Sequence, residues 1–130
     1  MPDLKLKNID KHYGDFLAVK DISLDIPEGD FVVLVGASGC GKSTLLRSIA
    51  GLEEISDGDI LLGGRSIARL APRDRNVAMV FQSYALYPYL SVFENIAFGL
   101  RARKESEETI KRQVAWAANI LDIGNYLDRV

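Results

Sequence analysis

The chain has 130 residues, 48% of them hydrophobic and 26% charged, with a formal net charge of -2 at pH 7, the balance of one ordinary globular domain. That charge gives no bulk attraction to nucleic acid or anionic lipid, so nucleic acid is not expected as a partner and any polyanion must be held by local geometry. The single cysteine, Cys40, excludes an internal disulfide and fits a reducing compartment. No apolar run reaches the roughly 18 residues of a membrane span, and the opening residues lack the apolar core of a signal peptide, so a chain that neither crosses a membrane nor is exported is expected.

Leu4, Leu6 and Ile9 alternate with Lys5, Lys7 and Asn8, and Ile22, Leu24 and Ile26 alternate with Ser23 and Asp25. This period of two predicts antiparallel strands with one wet face within about residues 3–30, followed by a turn at Pro27, Glu28, Gly29 and Asp30. The unbroken apolar run 31–35 reads as a strand buried on both faces, where a parallel core begins. Good helix formers fill residues 42–50, with Leu45, Leu46 and Ile49 on one side and Gly51 where a helix ends.

Asp57-Gly58 and Gly63-Gly64 bracket residues 59–62 as a short hairpin strand, and Pro72 opens a loop into a second buried strand at 77–81. Ser91 and Glu94 have capping-box spacing, which starts a short helix running to about Gly99. A longer helix is expected over 106–123, with Ile110, Val114, Ala117, Ala118 and Leu121 opposite Glu107, Glu108, Lys111 and Arg112. Trp116 and Met79 read as packing residues, and His12, the only histidine, as a surface residue.

Gly36-Ala37-Ser38-Gly39-Cys40-Gly41-Lys42-Ser43-Thr44 fits G-x-x-x-x-G-K-[ST] and lies between the apolar run and the helix, the context the motif requires. Its glycines let the backbone curl with N–H groups pointing at a phosphate, and the helix adds its positive end to the same spot. Lys42 would reach the β- and γ-phosphates, and the Ser43 hydroxyl would complete the coordination of Mg²⁺. The motif specifies a nucleoside triphosphate and leaves open which one.

The flanking residues narrow this. With Tyr13 ahead of the loop, the run 33–47, then Ile49-Ala50-Gly51-Leu52 and Met79-Val80-Phe81-Gln82-Ser83-Tyr84-Ala85-Leu86-Tyr87-Pro88, the chain resembles ABC-transporter ATPases over nearly its whole length. Residues 81–100 are similar to the ATPases of bacterial importers for maltose, other oligosaccharides and glycerol phosphate. The resemblance implies an α/β fold, the P-loop NTPase fold of the ABC ATPase type, with an antiparallel β subdomain and part of a parallel-sheet core. Residues 1–130 would then be the N-terminal part of one nucleotide-binding domain. Its parts are antiparallel strands at about 3–30, phosphate loop and helix at 31–51, the Q-loop at 82 and the start of a helical subdomain at about 91–130.

The same resemblance implies residue roles. Tyr13, which alone reads as a strand-end tyrosine, matches the aromatic that stacks on adenine. Ser38, Gly39, Cys40, Gly41, Lys42, Ser43 and Thr44 match the residues around the phosphates of ATP. Gln82 matches the Q-loop glutamine that contacts Mg²⁺ and the attacking water, so Lys42 and Gln82 carry the catalytic assignment, and Ser43 and Gln82 that of the metal. Residues 83–90, which open on Ser83 and close on Leu90, match the groove that receives a cytoplasmic helix of the transmembrane permease, with Tyr84, Leu86, Tyr87 and Tyr89 as clustered anchors. Tyr84 and Leu86 taken alone read equally well as core. Tyr89 departs from the histidine frequent in relatives, which touches the docking surface, and Cys40 is a tolerated small residue at a variable position.

Hydrolysis in the family also needs an apolar strand ending in Asp-Glu, a Leu-Ser-Gly-Gly-Gln signature and a later histidine, none of which occurs within 1–130. The expectation is that the full-length protein is an ATPase working as a homodimer or with a paired ATPase subunit. It would lie in the cytoplasm, peripheral on the inner face of the cell membrane, and couple hydrolysis to carbohydrate uptake. The segment 1–130 alone is expected to bind nucleotide without hydrolysing it, and its strand 31–35 to lack the flanking strands it needs. Two rival readings stay open: a non-catalytic nucleotide-binding or interaction module, and an ABC ATPase of translation or DNA repair, which tandem domains or a basic arm would favour.

Overall fold

The computed structural model describes residues 2–83 and 85–130, and the chain divides into two compact units, Met1–Val80 and Phe81–Val130. In the first unit, β1 (Leu4–Tyr13) and β2 (Phe16–Ile26) form an antiparallel hairpin paired from Leu4 opposite Ile26 to Tyr13 opposite Phe16. The other edge of β1 takes β3 (Asp57–Leu62), and β4 (Arg65–Ser66) turns back on β3, giving the order β2-β1-β3-β4.

The apolar residues of β1 break step once, three residues separating Leu6 from Ile9. The break is a β-bulge: the register shifts there, Asn8 adopts φ 48°, its amide donates to Ser23 Oγ at 2.9 Å and its side chain to Asp21 Oδ1 at 2.8 Å. One extra residue therefore returns Ile9 to the buried face that Leu6 occupies. With Leu4, Val19, Leu45, Ile60 and Ile67 they make the core of this unit, where fully burying a side chain such as Ile9 or Ile60 contributes about 1.5–3 kcal/mol.

Beyond β2 the expected turn is present, with the Asp30 N–H bonded to the Pro27 carbonyl at 3.2 Å and Gly29 at φ 83°. Helix α1 (Lys42–Ala50) follows, packing Leu45 into the core of the sheet and burying Ser48. Leu46, one position on and about 100° further around the helix, is exposed rather than on the packed side.

The two runs expected to be parallel strands are not strands. Residues 31–35 and 77–81 carry no regular structure, and Phe31 is 92% and Val80 97% exposed. A strand buried on both faces also needs hydrogen-bonding neighbours along its edges. Among the described residues the only sheet is the four-stranded antiparallel one, in which β2 and β3 already occupy both edges of β1.

In the second unit, α2 (Val92–Ala102) begins at Ser91, whose hydroxyl accepts the Glu94 N–H at 3.2 Å. It runs past Gly99 to Ala102, and Arg101 reaches back two turns to both Glu94 oxygens at 2.8 and 2.9 Å. That bond holds the Glu94 carboxyl below the usual carboxylate range. Helix α3 (Glu107–Ile120) is capped by Ser106, which accepts the Thr109 N–H at 3.2 Å. Ala97, Ile110 and Val114 form the buried centre between α2 and α3. Because α3 ends at Ile120, Leu121 is its exposed C-cap, and Trp116 is 64% exposed, so neither packs as expected. His12 is exposed, as expected, and Met79 is half-buried.

Candidate nucleotide-binding site

The loop 36–41 winds into α1 through residues chosen by backbone shape. The Cys40 N–H bonds to the Ala37 carbonyl at 3.3 Å, Gly39 has φ 80° and Gly41 φ 92°, and the Leu45 N–H makes the first helical bond to the Gly41 carbonyl at 2.9 Å. A β-carbon at Gly41 would lie 2.4 Å from the Ala18 carbonyl oxygen, so conformation and close approach to β2 both demand glycine there. Leu17, Ala18 and Val19 face Cys40, Gly41 and Lys42 across an open cavity of about 410 Å³.

The start of α1 differs from those of α2 and α3. The latter are capped by serine hydroxyls and carry Glu94, or Glu107 and Glu108, in the first turn; α1 has Gly41 as its cap, no side-chain acceptor and no acid. Its leading N–H groups and the positive end of its dipole are thus available to an external anion. The Lys42 ammonium donates to the Gly36 carbonyl, and to that of Ala37 at 3.0 Å, which draws it over the loop. Ser38, Gly39, Cys40 and Ser43 are exposed, Gly41 and Thr44 half-buried. Such a loop can accept an anion on its free N–H groups, and the exposed Ser43 hydroxyl can serve as a cation ligand beside it.

Tyr13 ends β1 opposite Phe16 and is 43% exposed. Two residues of β2, about 7 Å of strand, separate Phe16 from Ala18 beside Gly41. The first unit thus holds Tyr13 and residues 36–44, while Gln82 belongs to the second and is exposed.

Residues 83–90 also lie in the second unit; Tyr84 falls outside the described residues. Leu86 and Tyr89 are exposed, and Tyr87 stacks on Phe98 of α2 with ring centroids 4.3 Å apart. Asn95, which sequence reasoning passed over, organises this stretch: its Oδ1 accepts the Tyr87 N–H at 2.8 Å and its Nδ2 donates to the carbonyls of Tyr87, Leu90 and Ser91 at 3.1, 3.2 and 3.0 Å. Asn95→Ala should therefore speed hydrogen exchange at the Tyr87 amide about tenfold or more while leaving Val114 protected. Unchanged Tyr87 exchange would show that the stretch is held otherwise.

Arg75 was also missed. It is 4% exposed, and its guanidinium donates from Nε to the Leu70 carbonyl at 2.9 Å, from Nη1 to those of Ser48 and Ile49 at 2.9 and 3.3 Å, and from Nη2 to that of Ala68 at 3.0 Å. Burial lowers its pKa from the ordinary guanidinium value. No carboxylate among the described residues forms an ion pair with it, so the carbonyl end of the α1 dipole supplies the compensating negative potential. A loop arginine between Asp74 and Asn76 carries no sequence signal of burial.

A glycine loop seated on an antiparallel sheet and running into an uncapped helix is the layout of a P-loop protein. The ABC transporter family profile matches residues 19–130, and the chain belongs to that family. It is 55% identical over 130 residues to the alpha-glucoside transport ATP-binding protein AglK of Rhizobium meliloti (strain 1021), covering 100% of this chain and 36% of that protein. It is 50% identical over 129 residues to the sn-glycerol-3-phosphate import ATP-binding protein UgpC of Cereibacter sphaeroides, covering 99% and 37%. Against the maltose/maltodextrin import ATP-binding protein MalK of Vibrio cholerae it is 52% identical over 129 residues, covering 99% and 35%.

The chain thus spans little more than a third of the length of these relatives. Among solved structures, a nucleotide-free ATP-binding cassette from an ABC transporter superposes with TM-score 0.80 at 24% identity, covering 99% of this chain and 57% of that one. A dimeric post-hydrolysis state of an ATP-binding cassette bound to ADP and Pi superposes with TM-score 0.83 at 28% identity, covering 96% and 60%. Among the described residues no helix is long and apolar enough to cross a membrane.

Proposed function

We propose that the chain binds Mg²⁺-ATP as the front part of the ATPase subunit of an ABC importer for a carbohydrate or related solute. The observation that carries this is the start of α1, uncapped, free of acid and overhung by the Lys42 ammonium. Ser38, Gly39, Cys40, Gly41, Lys42, Ser43 and Thr44 would hold the phosphates, Tyr13 would stack on adenine, and Ser43 with Gln82 would coordinate Mg²⁺. A Mg²⁺ held there would take most of its ligands from phosphate and water oxygens.

The relatives named for alpha-glucoside, glycerol phosphate and maltodextrin transport support the solute class, and the dimeric cassette supports pairing of two ATPase subunits. In this reading residues 83–90 dock on the transmembrane permease, and the subunit works at the cytoplasmic face of the cell membrane. Residues 1–130 form the N-terminal part of one nucleotide-binding domain. Phosphoryl transfer here depends on positioned water, metal and charge stabilisation, and 1–130 contains no apolar strand ending in a carboxylate pair to position the water.

Purified 1–130 is accordingly expected to bind ATP with magnesium in a calorimetric titration and to show no steady turnover. Absence of binding heat at millimolar ATP would overturn the nucleotide reading. Turnover at rates typical of ATPases, abolished by Lys42→Ala, would overturn the assignment of hydrolysis to the longer protein.

A further inference from the structure

We propose that Lys11 is a positioning residue for Tyr13: its ammonium covers one face of the ring, is anchored by Glu53, and leaves the opposite face as the platform for the base. The inference rests on the reading of Tyr13 as the adenine-stacking residue. Lys11 and Tyr13 are two apart on β1 and so project to the same side of the sheet. The Lys11 Nζ lies 4.9 Å from the centre of the Tyr13 ring and 3.7 Å from Glu53 Oε2.

The environment of Lys11 sets it apart from an ordinary strand lysine. Its side chain is 13% exposed, against 43% for Lys5, which pairs with Asp25 on the same sheet. Lysine is seldom buried unless its charge is matched, and here a carboxylate and an aromatic face supply the match. Glu53 is itself fixed, because the segment after α1 is tied to β1 on both sides of Lys11. The Ser56 N–H donates to the Asp10 carbonyl, and the His12 N–H donates to Ser56 Oγ, both at 2.8 Å.

A cation on one ring face fixes the orientation of the ring, and a base stacking on the other face meets a platform that is already ordered. The contribution concerns the base alone, because nothing in this cluster reaches the loop 36–41 through a hydrogen bond or ion pair. ATP and inorganic tripolyphosphate therefore separate its effect from that of the phosphate loop.

The test measures affinities of the chain for ATP and for tripolyphosphate, each with magnesium, across four variants. Tyr13→Leu should weaken ATP about tenfold, and Lys11→Met about threefold or more, with tripolyphosphate unchanged in both. Lys11→Arg should restore most of the loss, because a guanidinium also covers a ring face. Glu53→Gln, which removes the anchor while leaving both ring and ammonium in the chain, should give a smaller loss of the same kind and serves if Lys11→Met fails to fold. Without any ligand, the ε-methylene protons of Lys11 should move downfield in Tyr13→Leu as the ring current is removed.

If Tyr13→Leu weakens ATP while Lys11→Met and Glu53→Gln do not, the positioning role is overturned and the platform stands. If Tyr13→Leu has no effect, the platform itself fails. Equal losses for ATP and tripolyphosphate in Lys11→Met, or lysine signals unmoved by Tyr13→Leu, also overturn the proposal.

Discussion

Lys42→Ala is expected to weaken ATP binding to this chain about 10- to 100-fold, because it removes charge-assisted hydrogen bonds to phosphate oxygens at roughly 1.5–3 kcal/mol. The ammonium is already gathered over the loop by the Gly36 and Ala37 carbonyls, so little side-chain freedom remains to be lost on binding. Those same bonds create a second route to a loss of affinity, since deleting the side chain could let the loop relax. Lys42→Met retains most of the aliphatic stem and separates the two. It should bind ATP as weakly as Lys42→Ala while leaving adenosine, which has no phosphates, unaffected. Calorimetry at two salt concentrations checks the electrostatic part, because the penalty should shrink as salt screens the wild-type interaction. A change of less than threefold for ATP in both variants would remove Lys42 from the phosphate site.

The shape of the glycine loop and the starts of α1, α2 and α3 were legible because each is specified within a few residues. Glycines with positive φ, the Lys-Ser pair and serines three residues ahead of their bonded amides are local rules, and Gly41, Lys42, Ser91 and Ser106 obey them. The bulge at Asn8 was missed: Leu6 and Ile9 were read as one alternation, although their odd spacing keeps both on one buried face only with an extra residue. The runs 31–35 and 77–81 misled because apolar composition reports a tendency to be buried and says nothing about partner strands. Trp116 and Leu121 misled through helix period and helix end: Trp116 falls off the stripe made by Ile110, Val114 and Ala118, and Leu121 lies beyond the last turn. Arg75 and Asn95 were invisible for a third reason, since each acts by bonding backbone carbonyls, and carbonyls have no sequence identity.

Arg75→Ala is expected to destabilise the first unit by about 3 kcal/mol or more, since it strands buried carbonyls and leaves a cavity where the guanidinium lay. For a unit of this size such a loss lowers the melting temperature by more than about 10 °C, readable in thermal and urea unfolding. Arg75→Lys should recover only part of it, because one ammonium cannot span carbonyls that the planar fork reaches from Ala68, Leu70, Ser48 and Ile49 together. Gly51 shows whether the fit is mutual. It caps α1 at φ 84°, and a β-carbon there would come within 2.6 Å of Arg75 Nε. Gly51→Ala should thus carry both the cost of a left-handed alanine, about 1 kcal/mol, and a clash with the guanidinium. In an Arg75→Ala background only the first cost remains, so the double variant should be more stable than the sum of the two single losses allows. Strict additivity would mean that the guanidinium moves aside freely, and that Arg75 does not hold the C-terminal end of the helix that starts at the phosphate loop.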